Sequence, residues 1–276
     1  MQSLEEKRVF APDRPARTLY VGTDRGVLAL SVAGVHLGRF SMAISGTVQA
    51  LCAAPGGVVA AVDDRVEVIR DAELPSAMPA TTDGVGVLGA DATAVWTATD
   101  DLAIRYPRTA GGAPERYRTD APVTAIAPPF IGTTAGLLRY TADGLQSVGL
   151  EHVTALTSAP LVGTTAGLYT LGNGWLRQLD GPVRAAASHP SHSVVATDTG
   201  LFTDDSGWAP VEAPPASPVA LAVCADAVYA ISADGVAMAH LPGEPWTQTH
   251  LGVGGITGMV IAETANGKHP PRAGPT

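Results

Sequence analysis

The chain has 276 residues, with 17 lysine and arginine side chains against 26 aspartate and glutamate, for a formal net charge of −9. That balance makes it a poor electrostatic partner for nucleic acid or an anionic membrane, and no apolar run comes near the roughly 18 residues that span a bilayer as a helix. Glycine (31) and proline (22) recur along the whole length and aromatics make up only 5%, which suits many short strands joined by turns and not long helices.

The opening Met1-Gln2-Ser3-Leu4-Glu5-Glu6-Lys7 is charged and has no apolar stretch behind it. A secretory leader is therefore not expected, and a cytoplasmic location is. Lysine occurs only at Lys7 and Lys268; the other basic residues are arginine. An acidic, lysine-poor surface fits a salt-rich cytoplasm, where ions screen self-repulsion. A GC-rich genome favouring Arg, Ala and Gly gives the same composition. Cys52 and Cys224 lie in comparable places of distant repeats and read as small core residues, not as a disulfide.

Residues 1–16 are polar with two prolines and read as a tail. Thr18 to Thr23 then reads as a strand by its β-branched and aromatic content. Asp24-Arg25-Gly26 reverses it into Val27 to Ser31, with Gly26 supplying a positive φ. This hairpin recurs. Gly163-Thr164-Thr165-Ala166-Gly167-Leu168 repeats Gly132 to Leu137, and looser copies follow the same plan. The turn-closing positions are Gly26, Arg65, Asp101, Gly136, Gly167, Gly200 and Gly235. Arg65 fits a left-handed turn poorly, so the second copy is expected to use a different turn.

A second marker runs in step: short strands of small and branched residues beginning at Val48, Val85, Val123, Val153, Val183, Val219 and Ile256. Both markers give seven copies. Each unit of about 35 residues reads as four antiparallel strands, the repeat of a β-propeller blade. The expected fold is all-β: a seven-bladed β-propeller of four-stranded antiparallel blades over residues 17–263. The first repeat starts on a second strand and the last element is an innermost strand. The C-terminal strand is therefore expected to complete the N-terminal blade and close the ring. Residues 264–276, with three prolines and two glycines, read as a disordered tail. Trp175, Trp208 and Trp246 fall at similar repeat positions and read as blade-to-blade packing residues.

The unit Val-Gly-Thr-Thr-Ala-Gly-Leu-Tyr, followed by a polar tip and Gly-Trp, resembles the blades of two-component-regulator and Asp-box propellers. Thr203-Asp204-Asp205-Ser206-Gly207-Trp208 is similar to a degenerate Asp box. The pattern over about residues 17–263 resembles an uncharacterised haloarchaeal β-propeller family. That resemblance implies the fold and a salt-loving cytoplasm, and carries no catalytic residues with it.

No phosphate loop, His-Glu-x-x-His, Cys-x-x-Cys or nucleophile elbow occurs. His189-Pro190-Ser191-His192 is the one local histidine pair, without an adjacent third ligand. In a propeller the turns between second and third strands share one face with the connections between blades. Asp83, Asp120, His152 and Asp180 fall just before innermost strands. Asp24, Asp64, Asp100, Asp198 and Asp234 fall at the turns. That face is expected to be an acidic rim around the channel mouth, a salt-adapted surface or a seat for a divalent cation or basic partner. Arg184 is the one charge in the innermost strands and is expected to pair with a rim carboxylate such as Asp180, or to hold an anion. Together these residues describe a non-enzymatic protein-binding or scaffolding propeller, monomeric and without a resident cofactor. The alternative is a hydrolase or lyase with a cation-dependent site at the channel mouth.

Overall fold

In the computed structural model the described residues are 17–69, 74–75, 78–79, 84–158, 161–172, 174–204, 207–224 and 227–263. Both expected tails lie outside them. Blade 1 contains β1 (Arg17–Thr23), β2 (Gly26–Ala33) and β3 (His36–Ser45), and blade 2 contains β4 (Val48–Ala54), β5 (Gly57–Val62) and β6 (Arg65–Ile69). Blade 3 is β7 (Val87–Ala90), β8 (Ala94–Thr99), β9 (Leu102–Pro107) and β10 (Glu115–Arg118). Blade 4 is β11 (Val123–Ala127), β12 (Phe130–Thr133), β13 (Leu137–Thr141) and β14 (Gly144–Ser147). Blade 5 is β15 (Val153–Leu156), β16 (Leu161–Thr164), β17 (Gly167–Leu171) and β18 (Trp175–Asp180). Blade 6 is β19 (Val183–His189), β20 (His192–Thr197), β21 (Gly200–Thr203) and β22 (Ala209–Pro210). Blade 7 is β23 (Pro218–Cys224), β24 (Ala227–Ser232), β25 (Val236–His240) and β26 (Thr247–His250). Last comes β27 (Gly258–Glu263), which pairs antiparallel with β1 from Gly22↔Gly258 to Arg17↔Glu263 and completes blade 1.

The result is a closed seven-bladed β-propeller. The innermost strands touch in the order β27, β4, β7, β11, β15, β19, β23 and back to β27. Six blades have four strands; blade 2 shows three among the described residues. The second strands are buried on both faces, as in the all-buried Gly57–Val62 and Ala227–Ser232, because each blade is covered by two neighbours. Innermost strands converge, so their small side chains leave a central channel of about 810 Å³. Cys52 lines that channel and Cys224 is buried beside the Arg17 guanidinium, and the two do not form a disulfide with each other. Burial pushes the Cys52 thiol up to about 12, against the opposing pull of Arg108.

The glycine that opens each Gly-Thr pair has a packing reason. A Cβ on Gly22 would meet Val48 Cγ1 at 2.8 Å, on Gly132 Val153 Cγ1 at 2.4 Å, and on Gly163 Val183 Cγ1 at 2.5 Å. In each case the first valine of the next blade sits where a side chain would stand. The threonine that follows closes the turn. The hydroxyls of Thr23, Thr133, Thr164 and Thr197 donate to the carbonyls of Gly26, Gly136, Gly167 and Gly200 at 2.8–3.1 Å. Each also accepts a turn N–H.

Two positions differ from the sequence reading by one residue. In blades 2 and 3 the turns are Asp63-Asp64 and Asp100-Asp101, and the left-handed residues are Asp63 (φ 53°) and Asp100 (φ 46°). The position equivalent to Gly26 in blade 3 is therefore Leu102, not Asp101, and Arg65 is an ordinary strand residue. In blade 7 the first inner-strand position is Pro218, because Val219 occupies a bulge. The same bulge recurs at Gln49, Thr124, Thr154 and Arg184, each followed by an alanine back in register.

At Thr124 and Thr154 that bulge turns the side chain toward the next blade. Thr124 Oγ1 donates to the Val153 carbonyl and Thr154 Oγ1 to the Val183 carbonyl, both at 2.7 Å. Thr154→Val is expected to lower stability by about 1 kcal/mol in thermal unfolding, with Thr154→Ser retaining most of it. The tryptophans do pack between blades: Trp175 meets Phe130 edge-on at 5.8 Å, Trp208 packs on the blade 5–6 core, and Trp246 packs on the blade 6–7 core.

The seam between blades 3 and 4 also carries charge. Glu115 accepts from Arg105 Nη1 (2.7 Å), Tyr117 Oη (2.5 Å) and Tyr140 Oη (3.1 Å). Burial acts to raise this carboxyl, but the tyrosine hydrogen bonds and the Arg105 charge outweigh it and hold it below the usual carboxylate range. A lowered folded-state pKa contributes stability above the unfolded pKa and loses it as pH falls through the folded one. The stability gap between wild type and Glu115→Gln should therefore be open at pH 7 and close in acid, which melting curves from pH 7 to pH 3 would show.

Candidate functional site: the acidic rim

Hydrogen bonds place the turns and the blade connections on one face. Gly46 N–H donates to Arg25 O, Thr119 N–H to Asp101 O, Thr134 N–H to Pro122 O, Thr165 N–H to His152 O and Gly181 N–H to Ala166 O, at 2.7–3.2 Å. Among the described residues, five connections are thus tied to a neighbouring turn along the rim. Asp24, Asp63, Asp64, Asp100, Asp120, Glu151, Asp180, Asp198 and Asp234 are all exposed on it.

Of the expected site residues, Asp83 lies outside the described residues. Asp120 stands exposed between blades 3 and 4, beside Thr119, whose buried hydroxyl donates to the carbonyls of Asp101 and Ala121. His152 is exposed between blades 4 and 5 with φ 51°. Asp180 is exposed between blades 5 and 6. Arg184 occupies the blade 6 bulge, which directs it to the rim, where its Nε lies 2.5 Å from Asp198 Oδ1. The pairing with Asp180 is corrected: Asp180 Oδ1 takes Arg177 Nε at 2.9 Å, from the same strand, β18. Both pairs are half exposed or more, so they position side chains and add little stability.

These residues occupy successive blade junctions along an arc and do not converge on one point. No group of three or more His, Cys, Asp or Glu side chains among the described residues is placed to hold a metal ion. His189 and His192 bridge through Ser191 Oγ at 2.7 and 3.0 Å on the opposite face. At the turn of blade 7, Ser232 hydroxyl binds the Asp234 carboxylate and holds it below its usual range. At blade 2, Thr47 N–H donates to Asp63 Oδ1 at 2.9 Å and Gln49 Nε2 to Asp63 O at 2.9 Å. The rim carboxylates thus sit on turns held by side-chain bonds. The threonine of the Gly-Thr-x-x-Gly repeat was the sequence signal for that rigidity.

Solved structures share the fold. The computationally designed Ika8 protein is 16% identical, with a TM-score of 0.59 over 89% of this chain and 90% of that one. AztD from Citrobacter koseri is 11% identical (TM-score 0.52, 93% and 100% covered), and Hsv2 from Kluyvelomyces marxianus is 8% identical (TM-score 0.53, 71% and 77%). At these identities the likeness is one of fold. No curated protein matches the chain. The HVO_0234-like beta-propeller family matches residues 3–262, almost the whole chain, and the protein belongs to that family.

Proposed function

We propose that this protein is a non-catalytic binding propeller whose acidic rim receives a basic region of a protein partner. The observation that carries the reading is the concentration of exposed carboxylates on turns braced by threonine, serine and backbone hydrogen bonds. A rigid array of like charge favours fast, salt-sensitive association and loses little entropy on binding. Charges spread around an arc suit an extended partner surface better than a single reacting atom. The reading is of a cytoplasmic monomer that works without a resident cofactor, with melting unchanged by calcium or magnesium.

Three baits test it in a native extract. Wild type and an Asp143→Asn/Glu212→Gln/Glu244→Gln variant, neutralised on the opposite face, should retain the same basic protein. An Asp24→Asn/Asp64→Asn/Asp100→Asn variant, with an equal change in charge, should lose it. Equal retention by all three baits contradicts the reading.

A further inference from the structure

A second site lies on the opposite face. A cavity of about 530 Å³ opens in the outer part of the seam between blades 6 and 7, lined by the ends of β21, β22 and β25, the start of β24 and the Pro242–Pro245 turn. His240 ends β25 on its wall, only 8% exposed, with its ring stacked on Trp246 at 4.9 Å and 22°. Trp246 is itself tied by its Nε1–H to the Glu212 carbonyl at 2.9 Å, which fixes the plane of the pair. The His240 Nδ1 is buried and has no hydrogen-bond partner, and the same is true of Thr203 Oγ1, which lines the same cavity.

A buried polar atom without a partner costs about 1–3 kcal/mol, so two in residues that line one cavity from its two flanking blades mark a place where a bound molecule supplies the missing bonds. The charge of the site selects that molecule. Glu212 and Glu244 stand exposed at the cavity, and neither lysine nor arginine lines it. A neutral imidazole accepts at Nδ1 when Nε2 carries the proton, and a threonine hydroxyl also accepts. Pro210, Val211 and Val228 give the rest of the wall an apolar character. Small-molecule sites commonly combine such a wall with a few convergent polar groups.

We propose that this cavity binds a small primary amine. Its ammonium donates to His240 Nδ1 and Thr203 Oγ1, Glu212 and Glu244 balance its charge, and its apolar body lies on the proline and valine wall. The site is independent of the rim and of the partner-binding reading.

Calorimetric titration of the full chain with benzylamine, benzoate and benzyl alcohol tests it, since the three share a shape and differ in charge and donors. Histidine labelled with ¹⁵N reports His240 Nδ1 directly. Benzylamine is expected to saturate and to move the His240 resonance, while benzoate and benzyl alcohol bind at least tenfold more weakly. His240→Phe keeps a ring to stack on Trp246 and should weaken benzylamine at least tenfold. The exposed Glu212→Gln/Glu244→Gln pair should weaken it several-fold without touching the core, and decides the matter if His240→Phe does not fold. No saturable benzylamine binding, equal binding of benzoate, a His240 resonance that does not move, or unchanged affinity in both variants overturns the proposal. So do ordered waters that alone occupy the cavity in the presence of saturating amine.

Discussion

Gly163→Ala is expected to lower the unfolding free energy by about 2–3 kcal/mol, a fall in Tm of about 5–10 °C for a chain of this size. The reason is space. The added Cβ would stand 2.5 Å from Val183 Cγ1, 2.8 Å from Val183 Cβ and 3.2 Å from Ala155 Cβ. Cβ atoms are fixed by the backbone and cannot rotate away, so blades 5 and 6 must separate locally. The effect should propagate along the seam, because Val183 also supplies the carbonyl that receives Thr154 Oγ1. Gly252→Ala is the comparison. Gly252 has φ 66° but nothing within 4 Å of a Cβ, so it reports backbone strain alone, about 1 kcal/mol. Val183→Ala in the Gly163→Ala background removes one of the clashing atoms and should return part of the loss, a favourable coupling of about 0.5 kcal/mol or more. If Gly163→Ala proves no worse than Gly252→Ala in denaturant titration, close approach is not what the repeated glycine serves.

Removal of residues 258–276 is expected to have a still larger effect: the truncated chain should be unfolded or aggregated, not a smaller propeller. It strips β27 from blade 1, losing the pairing from Gly22↔Gly258 to Arg17↔Glu263. Met259 is 6% exposed in the core shared with blade 7, and Ile261 packs against it. At about 1 kcal/mol per hydrogen bond and about 1.5–3 kcal/mol per buried apolar side chain, the loss is on the order of the whole 5–15 kcal/mol by which a domain is stable. It also leaves β1 and the walls of the flanking blades uncovered. A peptide covering 257–263 supplied in trans should rescue solubility and melting. A truncated monomer that melts cooperatively at the wild-type temperature would show that the ring does not depend on this strand.

The fold was legible because the repeat carries it in two independent signals. Gly-Thr-x-x-Gly marks the hairpin turns, and small-residue strands mark the channel wall; both reflect backbone geometry and crowding, which a single sequence displays directly. The misreadings have a common cause. At Val219 a branched residue sits in a bulge, where it looks like the first residue of a strand but belongs one position later, 39% exposed. At Asp101 the eye expects the closing position to hold the special φ, whereas Asp100 takes it. The rim could be placed in advance, since turns and connections share a face by topology. Which carboxylate Arg184 would meet could not, because Asp180 is the nearer in sequence, whereas the bulge that aims the side chain brings it to Asp198 across the β19–β20 hairpin. The blade 6–7 cavity was invisible for a different reason. His240 and Thr203 come from strands of two different blades and Glu212 from the connection between them, with no spacing that a repeat would mark.

The braced acidic rim is the proposed partner-binding face, and hydrogen exchange measured on the partner complex puts that reading at risk. Added protection should fall on the seven turns and blade connections, including Asp100-Asp101, Thr119-Asp120 and Gly181. Protection confined to the outer strand β3, where Phe40 and Met42 are 47% and 48% exposed, would contradict the account.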